Sequence, residues 1–420
     1  MPNKIDRVAL VAAGMLAAAC TTAADANDTD AAESSSSAAT TMPAGSEADA
    51  ESTAGPATSV DTGTDPDDTG PAPTSAGSSG DDGGSTETGE PTPDGVPMFV
   101  AQGHAGRTTI SCDDGLSWVA HQSDDDTLDC FDPYDCDHDA GAGRGIGYGD
   151  GWFVATFGWG TPGSVVRSRD GVAWEAVTTE TSFGGIAFHD GVFLAGARNP
   201  LLSDDEAATW FDAGDTMMAQ YNVRRVGAAP VDGGRFIMVA TSGEENEVVL
   251  TSDAGVSWWH PSSIPAECGG AIQTRGGIVH GNGVLLIIGG NGDACTSTAG
   301  GDPGLSTPLG SGVDSHAVWD GENFVVWGGG SKHESADGVT WTATAIAPAG
   351  LNIGVVAVNE ATGTIAAVRG GWQVWYEDQE FYRSIDGVTF DVLDPGQFTG
   401  SHPIRAMTFG YGESSDACPE

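Results

Sequence analysis

The chain has 420 residues, of which 60 are Asp or Glu, 15 are Lys or Arg and 63 are Gly, and its formal net charge is −45. This balance excludes a nucleic-acid-binding protein that neutralises phosphates with a basic surface, and the glycines follow no three-residue period, which excludes collagen. Residues 21–93 contain 15 acids but neither a basic nor an aromatic residue, whereas residues 94–420 contain all 12 Trp. The first of these segments is too polar to fold, and the second can bury a large core.

The N-terminus has the pattern of an export signal. Lys4 and Arg7 precede the apolar run Val8–Ala19, which ends in small residues. A basic start followed by a short apolar run and small residues is typical of a secretory signal. The run is too short to span a bilayer as a mature helix.

The small residues directly before Cys20 resemble a bacterial lipobox, in which the Cys thiol is acylated and becomes the new N-terminus. The resemblance implies that residues 1–20 are a lipoprotein signal peptide and that acyl chains on Cys20 anchor the protein to a membrane. Ala17 stands where the lipobox usually has Leu, so ordinary cleavage after Ala-x-Ala is the alternative. Thr21, rather than Asp, follows the Cys, which in lipoproteins implies the outer membrane within the cell envelope.

Residues 21–93 consist mainly of Ala, Ser, Thr, Gly, Asp, Glu and Pro, so we predict a disordered acidic linker. As a flexible coil it would extend roughly 45–50 Å on average, and repulsion between its acids would lengthen it. It would hold the folded domain away from the membrane; the alternative is a linker without a specific role.

A short turn motif, which we call the box, recurs in residues 94–420. It consists of Ser or Thr, one residue, Asp, an optional residue, Gly, two residues and an aromatic residue. Ser and Asp side chains bond to nearby backbone, Gly adopts a positive φ, and the aromatic ring anchors the turn, so each box predicts a tight turn between strands. The boxes are Ser111–Trp118, Ser168–Trp174, Ser203–Trp210 (with Ala207 in place of Gly), Thr251–Trp258, Ser335–Trp341 and Ser384–Phe390.

A second pattern precedes the boxes: a short apolar strand, an Asp-Gly-like turn and another apolar strand. It occurs seven times, at spacings of 38 to 56 residues. A period near 45 residues with four short strands per unit is typical of a β-propeller. We therefore predict an all-β, seven-bladed propeller of four-stranded antiparallel blades over residues 94–420. The turns lie at Asp94-Gly95, Asp150-Gly151, Asp190-Gly191, Asp232-Gly233, Asn282-Gly283, Asp320-Gly321 and Thr362-Gly363.

The two ends of this region predict how the ring closes. The first unit begins at its second strand, Met98–Gln102, and the region ends with an unmatched first strand, Ile404–Phe409. If the last strand completes the first blade, no sheet edge is left open at the junction.

The boxes resemble the Asp-box (BNR) repeat of the sialidase-like propellers, over nearly all of residues 94–420. The resemblance implies the propeller fold and a structural role for the boxes at the blade periphery. It implies little about activity, because glycosidases, receptors and assembly factors share the repeat. The family's early Arg-Ile-Pro motif is missing from Met98–His104, and Tyr221 has no evident Glu partner, so we predict no catalytic residues.

Six cysteines follow Cys20, and in an exported domain they imply up to three disulfides with fifteen alternative pairings. Local closure favours Cys130–Cys136 and Cys268–Cys295, which leaves Cys112 to pair with Cys418 across the ring closure.

Four of the few basic residues share one register at the start of a first strand. They are Arg144, Arg225, Arg275 and Arg405, and His316 lies in a related position. Because first strands surround the axis of a propeller, these side chains predict a positive collar that binds a carboxylate or sulfate. The alternative is that they pair with acids at the tops of the blades, such as Asp139, Asp314 or Glu267, and merely hold blades together.

One acidic loop stands apart from the repeats. Residues 124–139 contain eight Asp, and Asp135, Asp137 and Asp139 alternate as in the opening of a calcium loop. Gly141 and Ile146 do not fit an EF-hand, so a solvated acidic loop braced by a disulfide is the alternative to calcium binding.

Taken together, these patterns predict an exported, lipid-anchored propeller that binds an acidic glycan or a surface protein without turnover. The alternatives are a sialidase-like glycoside hydrolase and a scaffold that docks proteins on its blade edges.

Overall fold

The structure is a computed structural model that describes residues 94–121, 142–158, 163–178, 183–197, 200–213, 222–229, 235–242, 245–251, 258–263, 278–289, 292–298, 305–310, 316–370, 380–394 and 403–418. All of them lie in the unit Thr86–Glu420. The predicted signal peptide, linker and acidic loop lie outside the described residues. In the described part, every regular element is a strand except one 3-10 turn, η1 (His104–Gly106).

The described strands form seven four-stranded antiparallel sheets, one for each hairpin unit of the sequence, and we number these blades along the chain. Blade 1 contains β28 (Ile404–Gly412), β1 (Val96–Gly103), β2 (Thr108–Ser111) and β3 (Val119–His121). Blade 2 contains β4 (Ala142–Gly149), β5 (Trp152–Gly158), β6 (Ser164–Ser168) and β7 (Glu175–Thr178). Blade 3 contains β8 (Phe183–His189), β9 (Val192–Ala197), β10 (Leu201–Ser203) and β11 (Phe211–Asp212).

The remaining blades have the same internal order. Blade 4 contains β12 (Asn222–Ala229), β13 (Arg235–Ser242), β14 (Glu245–Thr251) and β15 (Trp258–Ser263). Blade 5 contains β16 (Ile278–Gly281), β17 (Val284–Ile288), β18 (Asp293–Thr298) and β19 (Leu305–Pro308). Blade 6 contains β20 (Val318–Trp319), β21 (Phe324–Gly328), β22 (Ser331–Ser335) and β23 (Thr342–Ala345). Blade 7 contains β24 (Ile353–Asn359), β25 (Thr364–Arg369), β26 (Phe381–Ser384) and β27 (Asp391–Val392).

The first strand of each blade contacts the first strand of the next. These contacts run from β28 to β4, β8, β12, β16, β20 and β24, and β24 contacts β28 again. The seven first strands therefore form a closed cycle, and the later strands of each blade lie progressively farther from it.

The C-terminal strand β28 closes the ring by pairing with β1, with Phe99 opposite Phe409. The strand limits differ from the prediction. β1 begins at Val96 rather than Met98, and β28 continues to Gly412 rather than ending at Phe409. β28 therefore pairs with β1 along the whole length of β1.

Aromatic pairs between the first and second strands form the core of several blades. Ring centroids lie 5.0 Å apart for Phe99–Phe409 and for Tyr148–Phe153, 4.6 Å for Phe188–Phe193 and 4.8 Å for Trp319–Phe324. The Phe on the second strand is fully buried in each pair. The same apolar alternation that predicts the strands thus fills the space between neighbouring blades.

The part of the chain that the structure describes contains no helix long and apolar enough to cross a membrane.

Candidate ligand-binding site

The boxes connect the third and outermost strands of their blades and share one set of hydrogen bonds. In the five boxes described, the Ser hydroxyl donates to the Asp Oδ1 atom over 2.8–3.0 Å. In the four of these boxes that end in Trp, the Trp Nε1 donates to the carbonyl of the Gly position, as in Trp341 to Gly338 at 2.9 Å. The Gly position has a positive φ, including Ala207 of the degenerate box at 60°. The predicted turn chemistry is therefore confirmed, and it is structural.

The backbone bonds of a box stabilise the ionised form of its Asp. Backbone N–H groups of Thr340 and Val339 donate to Asp337 at 2.7 and 2.9 Å and lower the pKa of that carboxyl to about 2. The pKa of Asp386 is lowered in the same way, chiefly by the backbone N–H of Thr389. The carboxylates of these box residues therefore serve to stabilise their own turns.

Two of the five described boxes carry an extra acid that reaches the preceding blade. In blade 1 this residue is Asp114, whose backbone carbonyl accepts from Arg383 Nε of blade 7 at 2.7 Å. In blade 3 it is Glu206, whose backbone carbonyl accepts from Arg167 Nη1 of blade 2 at 2.8 Å. Each Arg directly precedes the box Ser of its own blade. Sequence analysis missed this pairing, although an acid inserted before the Gly of a box was visible as a signal.

The first strands share a different irregularity at the opposite end from the boxes. A β-bulge interrupts the register of β4, β8, β12, β24 and β28. Three of these bulges insert an arginine: Arg144 in β4, Arg224 in β12 and Arg405 in β28. We call these three residues the bulge arginines.

The bulges correct the predicted collar at one position. Arg225 pairs with Val239 in the regular register, and its neighbour Arg224 is the residue equivalent to Arg144 and Arg405. Arg275 lies outside the described residues. The backbone N–H of His316 donates to the Gly354 carbonyl at 3.3 Å, which ties the start of blade 6 to the bulge of blade 7.

Two of the bulge arginines, Arg144 and Arg405, lie at the junction of blades 1 and 2. His104 is buried there, and its Nδ1 accepts from the backbone N–H of Gly143 at 2.9 Å. The Nε–H of Arg405 points at Nε2 of His104 over 3.4 Å. Gly143 directly precedes Arg144, so the imidazole contacts the backbone beside one arginine and the side chain of the other. Sequence analysis did not single out His104.

The other predicted site residues are placed in part. Asp135, Asp137 and Asp139, the predicted calcium ligands, lie outside the described residues, as do Asp314 and Glu267. Within the described ranges, no group of three or more His, Cys, Asp or Glu is arranged to hold a metal ion.

The Cys112–Cys418 disulfide is confirmed and links β28's C-terminal extension to the first box. Cys295 is also disulfide-bonded, while its predicted partner Cys268 lies outside the described residues. The predicted Cys130–Cys136 pair lies outside them as well.

A tyrosine–glutamate pair occurs in blade 7, but its chemistry is not that of a nucleophile. The Tyr382 hydroxyl donates to Glu380 Oε2 at 2.7 Å, and its ring is buried on the third strand. Burial, followed by the bond to Glu380, raises the pKa of Tyr382 far above its ordinary value. A glycosidase nucleophile would need the opposite shift, so this pair is structural.

No known family model matches the chain, and no curated protein matches it. Solved structures match it at low identity. YCF48 from Cyanidioschyzon merolae is 18% identical, with 61% of this chain and 86% of that chain covered and a TM-score of 0.43. A protein from Lactobacillus plantarum is 11% identical, with 74% and 99% covered and a TM-score of 0.47. Virginiamycin B lyase from Staphylococcus aureus is 11% identical, with 61% and 86% covered and a TM-score of 0.45. These similarities assign no family, so the relationship to sialidase-like propellers stays a prediction.

Proposed function

We propose that this protein is an exported, lipid-anchored propeller that binds an anionic ligand, an acidic glycan in the first place, without turnover. The ligand would lie over the axis at the end of the ring where the first strands begin. The observation that carries this proposal is the shared bulge position of Arg144, Arg224 and Arg405 on the innermost strands.

The chemistry of these positions supports an anionic ligand. Bulges commonly re-aim a side chain beside functional sites, and the guanidinium fork matches a carboxylate or sulfate with two parallel hydrogen bonds. Basic residues are scarce in a chain of net charge −45, so three arginines in one register make a local positive field that steers an anion.

The lipid anchor rests on the sequence, in which the apolar run Val8–Ala19 and small residues precede Cys20. Growth with a labelled fatty acid tests it. The label should enter the protein and be lost in the Cys20→Ala variant. A wild-type protein that takes up no label would contradict the anchor.

Titration calorimetry of the full chain in detergent tests the site, with 3′-sialyllactose and a sulfated disaccharide as anionic probes and lactose as the neutral probe. We expect saturable binding of at least one anionic probe and none of lactose. Arg144→Gln and Arg405→Gln should each weaken that binding at least tenfold. This loss corresponds to about 1.4 kcal/mol.

Arg169→Gln is the matched control, because it removes one positive charge beside Gly151, at the opposite end of blade 2. Equal losses in all three variants would mean that only net charge matters. Normal binding by both bulge variants would favour a scaffold that uses other surfaces. Cleavage of a fluorogenic sialoside, lost in the same variants, would replace binding with catalysis.

A further inference from the structure

The bulge arginines are spaced unevenly around the ring. Arg405 and Arg144 lie on β28 and β4, which are neighbouring first strands, whereas Arg224 lies on β12, beyond the first strand of blade 3. In that intervening strand, β8, the two residues within the bulge are Gly184 and Gly185. A blade without a side chain at this position therefore separates one adjacent pair of arginines from a single one.

The adjacent pair lies on backbones that are in direct contact. A Cβ atom on Gly143, the residue before Arg144, would lie 3.6 Å from Cβ of Arg405 and 2.9 Å from the carbonyl oxygen of Gly103. The two strands cannot come closer at this level, because even one added carbon would collide with the backbone. Two long Arg side chains that start this close together can bind the same anionic group.

Arg224 starts farther away, on the other side of blade 3. Blades 2 and 3 touch directly: Thr156 Oγ1 donates to the Gly184 carbonyl at 2.6 Å, and a Cβ atom on Gly145 would lie 3.1 Å from Cα of Gly185. Packed sheets are about 10 Å apart, so two such steps limit the distance from β4 to β12 to roughly 20 Å. One ligand of a few sugar units can span this distance.

A single carboxylate does not offer acceptors for all three arginines. Its two oxygens provide about four lone-pair sites, and each guanidinium fork uses two of them in parallel hydrogen bonds. The adjacent pair, Arg144 and Arg405, is therefore enough to saturate one carboxylate. Arg224 has an acceptor only if the ligand brings a second acidic group.

We propose that the ligand is a polyanionic glycan, with acidic groups on several of its sugars, rather than a glycan with a single acid. Arg144 and Arg405 bind one acidic group together, and Arg224 binds another across blade 3. Linking two contacts in one molecule raises its affinity through effective concentration. The inference deepens the proposed function and rests on it for an anionic ligand at this end of the ring.

Oligogalacturonates of one to six units test this division, because every unit carries one carboxylate, and maltohexaose is the neutral probe. Titration calorimetry uses the full chain in detergent. We expect weak binding of the shortest oligomers and at least tenfold tighter binding from the length that first reaches Arg224. Arg144→Gln and Arg405→Gln should each weaken binding at least tenfold at every length.

Arg224→Gln should abolish the gain with length and leave the affinity for the shortest oligomers within about threefold of wild type. Arg225→Gln is the matched control, because it removes the same charge one residue along, at the position that pairs regularly with Val239. This control should keep the gain. Loss of the gain in Arg225→Gln but not in Arg224→Gln, or equal losses at every length in both, would overturn the division.

Double variants show which arginines share an acidic group. Residues that bind one group are coupled, whereas residues that bind separate groups act independently. For the six-unit oligomer, the fold-losses of Arg144→Gln and Arg224→Gln should multiply to within about a factor of two. Those of Arg144→Gln and Arg405→Gln should not multiply. The opposite pattern would overturn the proposal.

The wild-type titrations separate failure of this inference from failure of the proposed function. Binding of 3′-sialyllactose, which has one carboxylate, at least as tightly as the six-unit oligomer would overturn the inference and leave the proposed function standing. Binding of 3′-sialyllactose without binding of any oligogalacturonate would have the same meaning. If neither these oligomers nor the earlier anionic probes bind, both proposals fail.

Discussion

Asp114 receives more hydrogen bonds than a turn residue needs. Its carboxylate accepts from Asn359 at 2.8 Å, from Thr362 at 2.9 Å and from Thr364 at 2.5 Å, all in blade 7. Arg383 Nη2 adds an ion pair at 3.0 Å. Partial burial would raise the pKa of Asp114, but these bonds outweigh it and lower the pKa. Asp114 therefore connects the first blade to the last blade.

Asp114→Ala should lower the free energy of unfolding by about 2–3 kcal/mol, because the buried Asn359 and Thr364 each lose their acceptor. Urea unfolding of the full chain at pH 7 measures this change. Asp114→Asn keeps oxygen at one position and should cost less.

Glu206→Ala provides the matched control for this experiment. Glu206 is the equivalent extra acid of blade 3, but its side chain is 55% exposed and its ion pair with Arg169 faces solvent. Its loss should cost below about 1 kcal/mol. Equal costs for the two alanine variants would show that the network around Asp114 adds nothing.

Among the elements, the box turns couple stability to pH. The pKa values of Asp113, Asp205, Asp337 and Asp386 are all lowered in the folded chain. A lowered pKa means that the stabilisation is complete above the ordinary pKa of Asp, near 4, and is lost as the pH falls through the folded value. For Asp337 that value is about 2.

We therefore expect the free energy of unfolding to fall steeply between pH 4 and pH 2. Asp337→Asn should make this fall shallower, because one carboxylate no longer takes up a proton on unfolding. Urea titrations at several pH values measure the slope, and Asp94→Asn, outside any box, serves as the control. An unchanged slope in Asp337→Asn would contradict the shift.

Sequence patterns predict the elements better than they predict their pairing. Hairpin turns, box turns and the closing strand follow from local chemistry: for example, Asp150 and Gly151 adopt the positive φ values of 50° and 76° that their turn requires. The bulges cannot be predicted from local chemistry, because a residue counts as inserted only relative to the strand with which its own strand pairs. For this reason the sequence predicts Arg225 at the position that Arg224 occupies in the structure.

The candidate site was predictable to a similar extent. The scarcity and spacing of arginines drew attention to the starts of the first strands, where the bulges at Arg144 and Arg405 lie. His104 and Asp114 could not be found in this way, since their partners lie 39 and about 250 residues away along the chain. Contacts at such separations are set by the folded ring and leave no periodic trace.

At the scale of the whole molecule, the ring is closed by backbone pairing and by a covalent bond. Pairing of β28 with β1 is reinforced by Tyr148, whose hydroxyl donates to the Tyr411 carbonyl at 2.8 Å. The Cys112–Cys418 bond spans 306 residues. A cross-link over so long a loop restricts the unfolded chain strongly.

Cys112→Ala, Cys418→Ala and the double variant should each lose about 2–5 kcal/mol of unfolding free energy. The losses should be equal rather than additive, because either substitution removes the same bond. Urea unfolding without reductant measures them. Losses that add would point to packing of the two side chains instead, and unchanged midpoints would show that the strand pairing suffices alone.

The position of Arg405 on β28 has a consequence for biogenesis. This strand is synthesised after every other strand of the ring, yet it is the innermost strand of the first blade and carries one of the three arginines. A polypeptide that lacks β28 can still contain all the strands of blades 2 to 7. It then has neither the strand pairing that closes the ring nor Arg405. The proposed anion site would thus be complete only after the whole ring has folded.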